Sequence, residues 1–198
     1  MDEYDSRNYK KYNSKNPLMG IVISNFIKNL KETIVPLEKI SNVIDIGCGE
    51  GFVINCLDLP AITGVDISKN ALKVAKDKNQ KCNLCAGSVY DLSFKKNSFD
   101  LVIATEVLEH LEEPDSALKE IRRVSKNYCI FSVPNEPYFR TMNFLRGKNL
   151  TRFGNDLEHV QNWSSGKFVR LIETYFDIVE VRKPFPWTMV LCKTRGDR

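Results

Sequence analysis

The sequence is poor in histidine and has no long hydrophobic run. Only two histidines, His110 and His159, occur among the 198 residues. No stretch of 18 apolar residues is present, so the sequence predicts no transmembrane helix. The N-terminus from Met1 to Asp5 is polar and acidic, which argues against a secretory signal. These absences predict a cytoplasmic protein without a membrane span.

The six cysteines form no metal-binding or disulfide pattern. Cys82 and Cys85 have ligand spacing, but no second Cys pair or Cys/His pair completes a zinc set. Cys48, Cys129 and Cys192 fall in apolar runs, as reduced core thiols do in a cytosol. Internal repeats and low-complexity segments are also absent. A net charge of +4 permits an anionic substrate but does not call for nucleic acid.

Residues 43–51 are the stretch around which the rest of the chain is organised. Val43, Ile44 and Ile46 are β-branched, which is typical of a strand covered on both faces. Glycines at 47, 49 and 51 then allow a tight turn and a close approach of the backbone to a ligand. A second strand, 61–66, ends in Asp66, where a carboxylate can meet a ribose diol.

The spacing of these glycines separates two classes of ligand. A dinucleotide pyrophosphate is bound by Gly-x-Gly-x-x-Gly, whereas this loop reads Gly-x-Gly-x-Gly. Asp45 and Glu50 flank or enter the loop, and their carboxylates would repel a pyrophosphate. The loop therefore favours a cationic ligand.

Hydrophobic periodicity predicts alternating strands and helices, and hence a parallel α/β sheet. The last two strands are joined by Pro184-Phe185-Pro186, which is short enough for an antiparallel hairpin. The predicted helices cover about 17–31, 52–59, 69–79, 106–111 (one turn), 114–124 and 164–175, and the predicted strands cover 43–46, 61–66, 82–87, 98–105, 128–133, 176–183 and 187–193.

Two segments interrupt this alternation. Residues 135–163 interleave aromatic and arginine residues after a strand end, where open α/β sheets bind ligands. We expect this excursion to form an acceptor site. The N-terminal tail carries Tyr4, Tyr9 and Tyr12, and we expect it to act as a lid over a cofactor.

Five segments together resemble the class I S-adenosylmethionine (SAM)-dependent methyltransferases, in their small type 11 branch. They are 43–51, 64–68, 87–94, 99–111 and 129–134. The resemblance implies one Rossmann-like domain over residues 1–198, with a seven-stranded, mainly parallel sheet and a C-terminal antiparallel hairpin. Its parts would be a lid and helix (1–35), a SAM-binding core (40–134), the acceptor-site excursion (135–163) and a closing helix and hairpin (164–198).

The resemblance also implies roles for single residues in binding SAM. Asp45 would lie near the methionine ammonium, and Asp66 would bind the ribose hydroxyls. Ser88 stands where the family usually has an adenine-binding aspartate, so the backbone of Val89 would share that contact. The full predicted cofactor set is Asp45, Gly47, Gly49, Gly51, Asp66, Ile67, Ser88, Val89 and Thr105.

The candidate catalytic residues are Glu106, His110 and His159. Glu106, Glu109 and His110 are three and four residues apart, so a helical turn would place them on one face. With His159 they are similar to the metal site of the small-RNA 2′-O-methyltransferases, and the ubiquinone-pathway O-methyltransferases share a related helix. Our prediction is a site without a metal, with Glu106, Glu109, His110 and His159 as the alternative ligand set.

The predicted function is methyl transfer from SAM to oxygen, less readily nitrogen, of a small or polymer-attached acceptor. An anionic acceptor suits the arginines of the excursion. Two alternatives stay open: a catalytically silent SAM-binding partner subunit, and an RNA 2′-O-methyltransferase. Nucleic acid is the less favoured acceptor, and the sequence leaves the acceptor and the oligomeric state open.

Overall fold

The computed structural model describes residues 16–59, 61–78, 82–136, 138 and 160–196. Strands and helices alternate through most of this part of the chain, as predicted. The elements in order are α1 (Pro17–Ile34), β1 (Val43–Ile46), α2 (Phe52–Cys56), β2 (Ile62–Asp66), α3 (Lys69–Lys78), β3 (Asn83–Ala86), β4 (Phe99–Thr105), a 3-10 helix (Leu108–His110), α4 (Pro114–Val124), β5 (Ser125–Pro134), α5 (Ser165–Tyr175), β6 (Phe176–Arg182) and β7 (Trp187–Thr194).

The described strands form one seven-stranded sheet in the order β3-β2-β1-β4-β5-β7-β6. β1 pairs in parallel with β2 and β4, and β4 pairs in parallel with β5. β7 runs antiparallel to both β5 and β6. The predicted α/β fold with a C-terminal antiparallel hairpin is therefore confirmed. This topology brings the C-terminal ends of β1, β2 and β4 to the same edge.

Helices cover the central strands on both faces, which explains their continuous apolar runs. Ile44, Ile46 and Val102 pack on one side with buried residues of α4 and α5. Val43 and Leu101 pack on the other side with buried residues of α1 and α2. Successive residues of a strand point to opposite faces, so β1 contributes to both layers.

Two helices end elsewhere than predicted. α1 starts at Pro17 as predicted, where the Asn16 side chain accepts a hydrogen bond from Leu18 N, but it continues to Ile34. Ile21 is 67% exposed, and the buried residues of the helix begin at Ile23. α2 is shorter than predicted because Leu57 already has an extended backbone.

Several predicted features fall outside the described residues. They are the N-terminal tail with Tyr4, Tyr9 and Tyr12, and residues 139–159 of the excursion, including His159. None of the helices in the described ranges is long and apolar enough to cross a membrane.

Candidate active site

The turn after β1 depends on glycine at two positions for different reasons. Gly47 has a φ of +71°, and a Cβ there would lie 2.4 Å from Cγ2 of Val107. Gly49 has a φ of +51°, but a Cβ there would meet no atom of the described residues within 4 Å. Gly47 is therefore required by packing as well as by backbone conformation. Gly49 leaves an open space over the loop.

The carboxylate of Asp66 ties the end of β2 to this loop. Its Oδ2 accepts a hydrogen bond from Gly49 N at 2.8 Å, and its Oδ1 accepts one from Ser68 N at 2.7 Å. Ser68 in turn caps α3, because its Oγ accepts from Ala71 N at 3.2 Å. The two backbone bonds fix the Asp66 side chain next to the glycines. Each carboxylate oxygen has acceptor capacity left for a ligand.

Asp45 lies beneath the loop and is only 2% exposed. Its Oδ2 has no hydrogen-bond partner in the part of the chain that the structure describes. Burial, and secondarily the negative charge of Asp66, raises the pKa of Asp45 to about 8. An acid in this state gains most from a nearby cation, which would restore its charged form.

A pocket of about 250 Å³ opens above the loop at the edge formed by the C-terminal strand ends. Eight of the predicted site residues line it: Gly47, Gly49, Asp66, Ile67, Ser88, Val89, Glu106 and His110. Asp45, Gly51 and Thr105 do not line it. Tyr90 and Val107 line it but were not predicted. Tyr90 follows the third strand at the same edge as Ser88, and that position was the signal available in the sequence.

Ser88 is held in a local turn on the wall of this pocket. Its Oγ accepts a hydrogen bond from Tyr90 N at 3.2 Å, and its carbonyl accepts one from Asp91 N at 3.1 Å. A hydroxyl has two acceptor sites and one donor. Ser88 therefore retains one acceptor and its hydrogen for a ligand.

Glu106 and His110 both reach the pocket, but not on one face of a helix as predicted. Glu106 N still donates to Ser132 O of the neighbouring strand, and Glu106 has a φ of +56°, so no helix starts there. Only Leu108–His110 form a 3-10 turn, in which Glu109 is 2% exposed whereas His110 is exposed. The expected alignment of Glu106, Glu109 and His110 is therefore wrong.

The Glu106 side chain is anchored by a residue of β7, which lies two strands from β4 in the sheet. Trp187 at the start of β7 donates a hydrogen bond from Nε1 to Glu106 Oε1. Trp187 is 3% exposed and packs on Phe26 of α1, with ring centroids 4.9 Å apart. A buried indole thus sets the direction of a carboxylate at the mouth of the pocket. His159 lies outside the described residues, and within them no three His, Cys, Asp or Glu residues group as a metal site would require.

Residues 44–133 match a family model described as a methyltransferase domain, of type 11. This stretch, just under half of the chain, is similar to the methyltransferase domain of SAM-dependent enzymes, and the cofactor that the similarity implies is SAM. The match spans β1 to β5, so it contains every described residue of the pocket.

Related proteins share this domain rather than their full length. An uncharacterized methyltransferase of Schizosaccharomyces pombe is 34% identical over 46% of this chain and 38% of its own. A ubiquinone biosynthesis O-methyltransferase of Nitrosomonas europaea is 29% identical over 64% of this chain and 54% of its own. The matched region thus spans about half or less of these relatives.

A solved structure extends the comparison to the whole fold. Magnesium protoporphyrin IX methyltransferase of Synechocystis PCC 6803, with bound SAH, superposes with a TM-score of 0.73. It covers 96% of this chain and 93% of its own at 16% identity. At that identity the similarity concerns the fold alone.

The residues at and beneath the pocket fit SAM on three counts. SAM carries a cationic ammonium, and Asp45 beneath the loop is a buried carboxylate whose Oδ2 has no hydrogen-bond partner among the described residues. The cofactor has a ribose diol, and Asp66 presents a fixed carboxylate at the loop. The cofactor must approach the backbone closely, and the space over Gly49 is open.

Proposed function

We propose that this protein transfers a methyl group from SAM to an oxygen atom of a small or polymer-attached acceptor. The observation that carries the proposal is that Gly49, Asp66, Glu106 and His110 line one pocket. We assign Gly49 and Asp66 to a cofactor end of this pocket, and Glu106 and His110 to a reactive end.

At the cofactor end, different residues bind different parts of SAM. In this proposal Asp66 receives the ribose hydroxyls while its backbone hydrogen bonds keep the carboxylate in place. Ser88 and Val89 bind the adenine ring from the wall of the pocket. Gly47 and Gly49 allow the chain to approach the amino-acid end, with Asp45 beneath them.

The reactive end needs a proton acceptor more than it needs charge stabilisation. SAM supplies an electrophilic methyl group, and its departure leaves a neutral thioether. A hydroxyl acceptor must lose its proton as it is methylated, which calls for a positioned base. His110 takes this proton and returns it to water, because its side chain is exposed at the mouth of the pocket. Glu106, fixed by Trp187, orients the acceptor.

The presence of a base supports oxygen over nitrogen as the methylated atom. The name of the Nitrosomonas relative, an O-methyltransferase, supports the same choice. Acceptor recognition falls to the excursion 135–163. Its two described ends are both attached beside the pocket, since Asn135 N donates to Pro186 O and the N–H groups of Val160 and Gln161 donate to Glu109 O.

The test is transfer of radiolabelled methyl from SAM into fractions of a cell extract, with half of each sample treated with nuclease. We expect His110→Gln to lower turnover by about 10²–10⁴-fold, the usual effect of losing a positioned base. Its affinity for S-adenosylhomocysteine (SAH) should stay within about threefold, because His110 is not at the cofactor end. Glu112→Gln is the matched control, as Glu112 is an exposed neighbour that does not line the pocket.

The outcomes separate the proposal from its alternatives. SAH binding without any label transfer identifies a silent SAM-binding subunit. Label that disappears with nuclease identifies a nucleic-acid acceptor. Loss of activity in EDTA and its return with Mg²⁺ or Mn²⁺ supports the metal alternative, whereas full activity in EDTA contradicts it.

A further inference from the structure

A second pocket, rich in basic side chains, lies at the opposite edge of the sheet from the glycine loop. It has a volume of about 340 Å³. Its cations come from the turn before β4, from α4, from the start of β5 and from the chain after β7: Lys96, Lys119, Arg122, Arg123, Lys126 and Arg195. β4 runs from this edge to the cofactor edge over seven residues. At ~3.3 Å per residue the two sites are about 20 Å apart.

Two of these cations are engaged by the fold itself. The Arg123 guanidinium bonds both carboxylate oxygens of Glu120 and the carbonyls of Leu92 and Phe94. Arg195 bonds Asp177 and nearby backbone carbonyls. These two side chains build the pocket rather than remaining available to a ligand.

Three other basic side chains have hydrogen-bond donors available for a ligand. Lys119 makes no ion pair or hydrogen bond within the described ranges, and Arg122 makes one there, a 3.5 Å bond from Nη2 to Arg195 O. They are three residues apart on α4 and so share a face. Lys126 is 58% exposed and lies 3.3 Å from Asp100, which already accepts two backbone N–H bonds from Ser41 and Asn42. Asp100 therefore does not depend on Lys126.

The positive charge here exceeds what the fold requires. The described ion pairs give a carboxylate to three of the basic side chains that line the pocket: Glu120 to Arg123, Asp100 to Lys126 and Asp177 to Arg195. Lys119 and Arg122 take part in no ion pair within the described ranges. A helix C-terminus favours cations, which accounts for Arg122 and Arg123 at the end of α4. It does not account for Lys96 and Lys126, which converge from other elements. Such a cluster is relieved by an anion.

The lining indicates which anion fits. Besides the cations, the described part of the lining contains Asn97, Thr194 and Gly196, so these residues offer no aromatic or large aliphatic side chain to hold a base. A site for a free nucleotide ordinarily has aromatic or aliphatic side chains against which the base packs. Contacts to a nucleic-acid backbone need only cations and polar groups. We propose that this pocket binds the phosphates of a nucleic-acid strand, independently of its sequence and of the methyl acceptor.

The experiment uses the full chain and a fluorescent single-stranded RNA oligonucleotide at about 50 mM salt, where such contacts are strong. Lys119→Gln with Arg122→Gln should weaken binding about tenfold and lower the salt slope by about 1.4, which is ~0.7 per phosphate contact. Lys73→Gln with Lys76→Gln, two exposed lysines on α3, is the charge-matched control and should leave affinity within about twofold. SAH binding should be unchanged in both.

Three results would overturn the proposal. The first is the absence of RNA binding by the native chain at low salt. The second is an equal loss in the two double variants, which indicates a general charge effect without a site. The third is displacement of the RNA by inorganic pyrophosphate at micromolar concentration, which assigns the pocket to a small anion instead. None of them bears on SAM binding, which is measured separately.

Discussion

Asp45 is the residue whose chemistry is most altered by its position. Its carboxyl is enclosed at the end of β1, and burial together with Asp66 raises its pKa to about 8. At neutral pH the acid is therefore mostly protonated in the free protein. A cation bound beside it lowers that pKa, so binding a cationic ligand releases a proton.

We accordingly predict that affinity for SAH rises with pH between about 6 and 8, by up to about tenfold per pH unit, and levels off above. Isothermal titration calorimetry in buffers of different ionisation enthalpy measures both the affinity and the released proton. Asp45→Asn should bind more weakly and lose the pH dependence. A raised acid pKa also means that native stability falls as pH rises toward 8, so the Tm of the native chain should drop relative to Asp45→Asn over this range. A pH-independent affinity in the native chain would contradict the assignment.

Asp66 offers a second prediction at this scale. Asp66→Ala should weaken SAH binding roughly tenfold or more, since a charge-assisted hydrogen bond contributes about 1.5–3 kcal/mol. Asp77→Ala, at an exposed position of α3, is the control. Thermal shift with SAH and with NAD distinguishes the ligand classes. Stabilisation by NAD and not by SAH would remove the assigned cofactor.

In the glycine loop, we expect substitutions at Gly47 and Gly49 to have different effects, one on folding stability and the other on SAH binding. Gly47→Ala combines a positive φ with a contact at 2.4 Å, so it should lose folding stability, by about 2–4 kcal/mol. Gly49→Ala carries only the conformational cost of about 1–2 kcal/mol, because the space around it is open. Urea unfolding measures the first effect and SAH titration the second. Gly49→Ala should fold and bind SAH poorly, and normal SAH binding by this variant would show that the open space is not used.

Some elements of the fold can be predicted from the sequence, and others cannot. Five of the seven residues in 99–105 are apolar, so β4 is predictable, and the glycines mark the turn after β1. The turn at Glu106 is not predictable in the same way. Its backbone N–H pairs with Ser132, a residue 26 positions later, and that distant bond prevents the helix that local spacing favours. Likewise, the bond from Trp187 to Glu106 joins residues 81 positions apart.

At the scale of the whole molecule, the sheet brings distant segments to two separate edges. The cofactor pocket could be predicted because its residues follow strand ends in recognisable motifs. The basic pocket could not, because Lys96, Lys126 and Arg195 belong to no motif and meet only through the order β4-β5-β7. The chain has nearly as many acidic as basic residues. The local excess of positive charge at this pocket therefore becomes visible only when the strands are placed side by side.

The last prediction concerns the N-terminal tail. We expect its deletion to affect turnover but not folding stability. The described core begins with α1, whose cap is Asn16 and whose first buried residue is Ile23. Deleting residues 1–14 keeps Asn16 and all the buried residues of the helix in the chain. We expect the Tm of the truncated chain to stay within about 2 °C, since a loss below ~1 kcal/mol shifts the Tm of a chain of this size by no more than a few degrees.

Turnover, by contrast, should fall if the tail closes over the cofactor. Label transfer from SAM is compared between the native chain, the deletion, and a full-length variant in which Tyr4, Tyr9 and Tyr12 are replaced by alanine. The tyrosine variant keeps the length of the tail and removes only its rings, so a matching loss in both assigns the effect to those rings. A loss in the deletion alone assigns it to the backbone of the tail. Unchanged turnover in both variants removes the lid from the mechanism, because a segment that excludes water from the reaction cannot be removed without a change in rate.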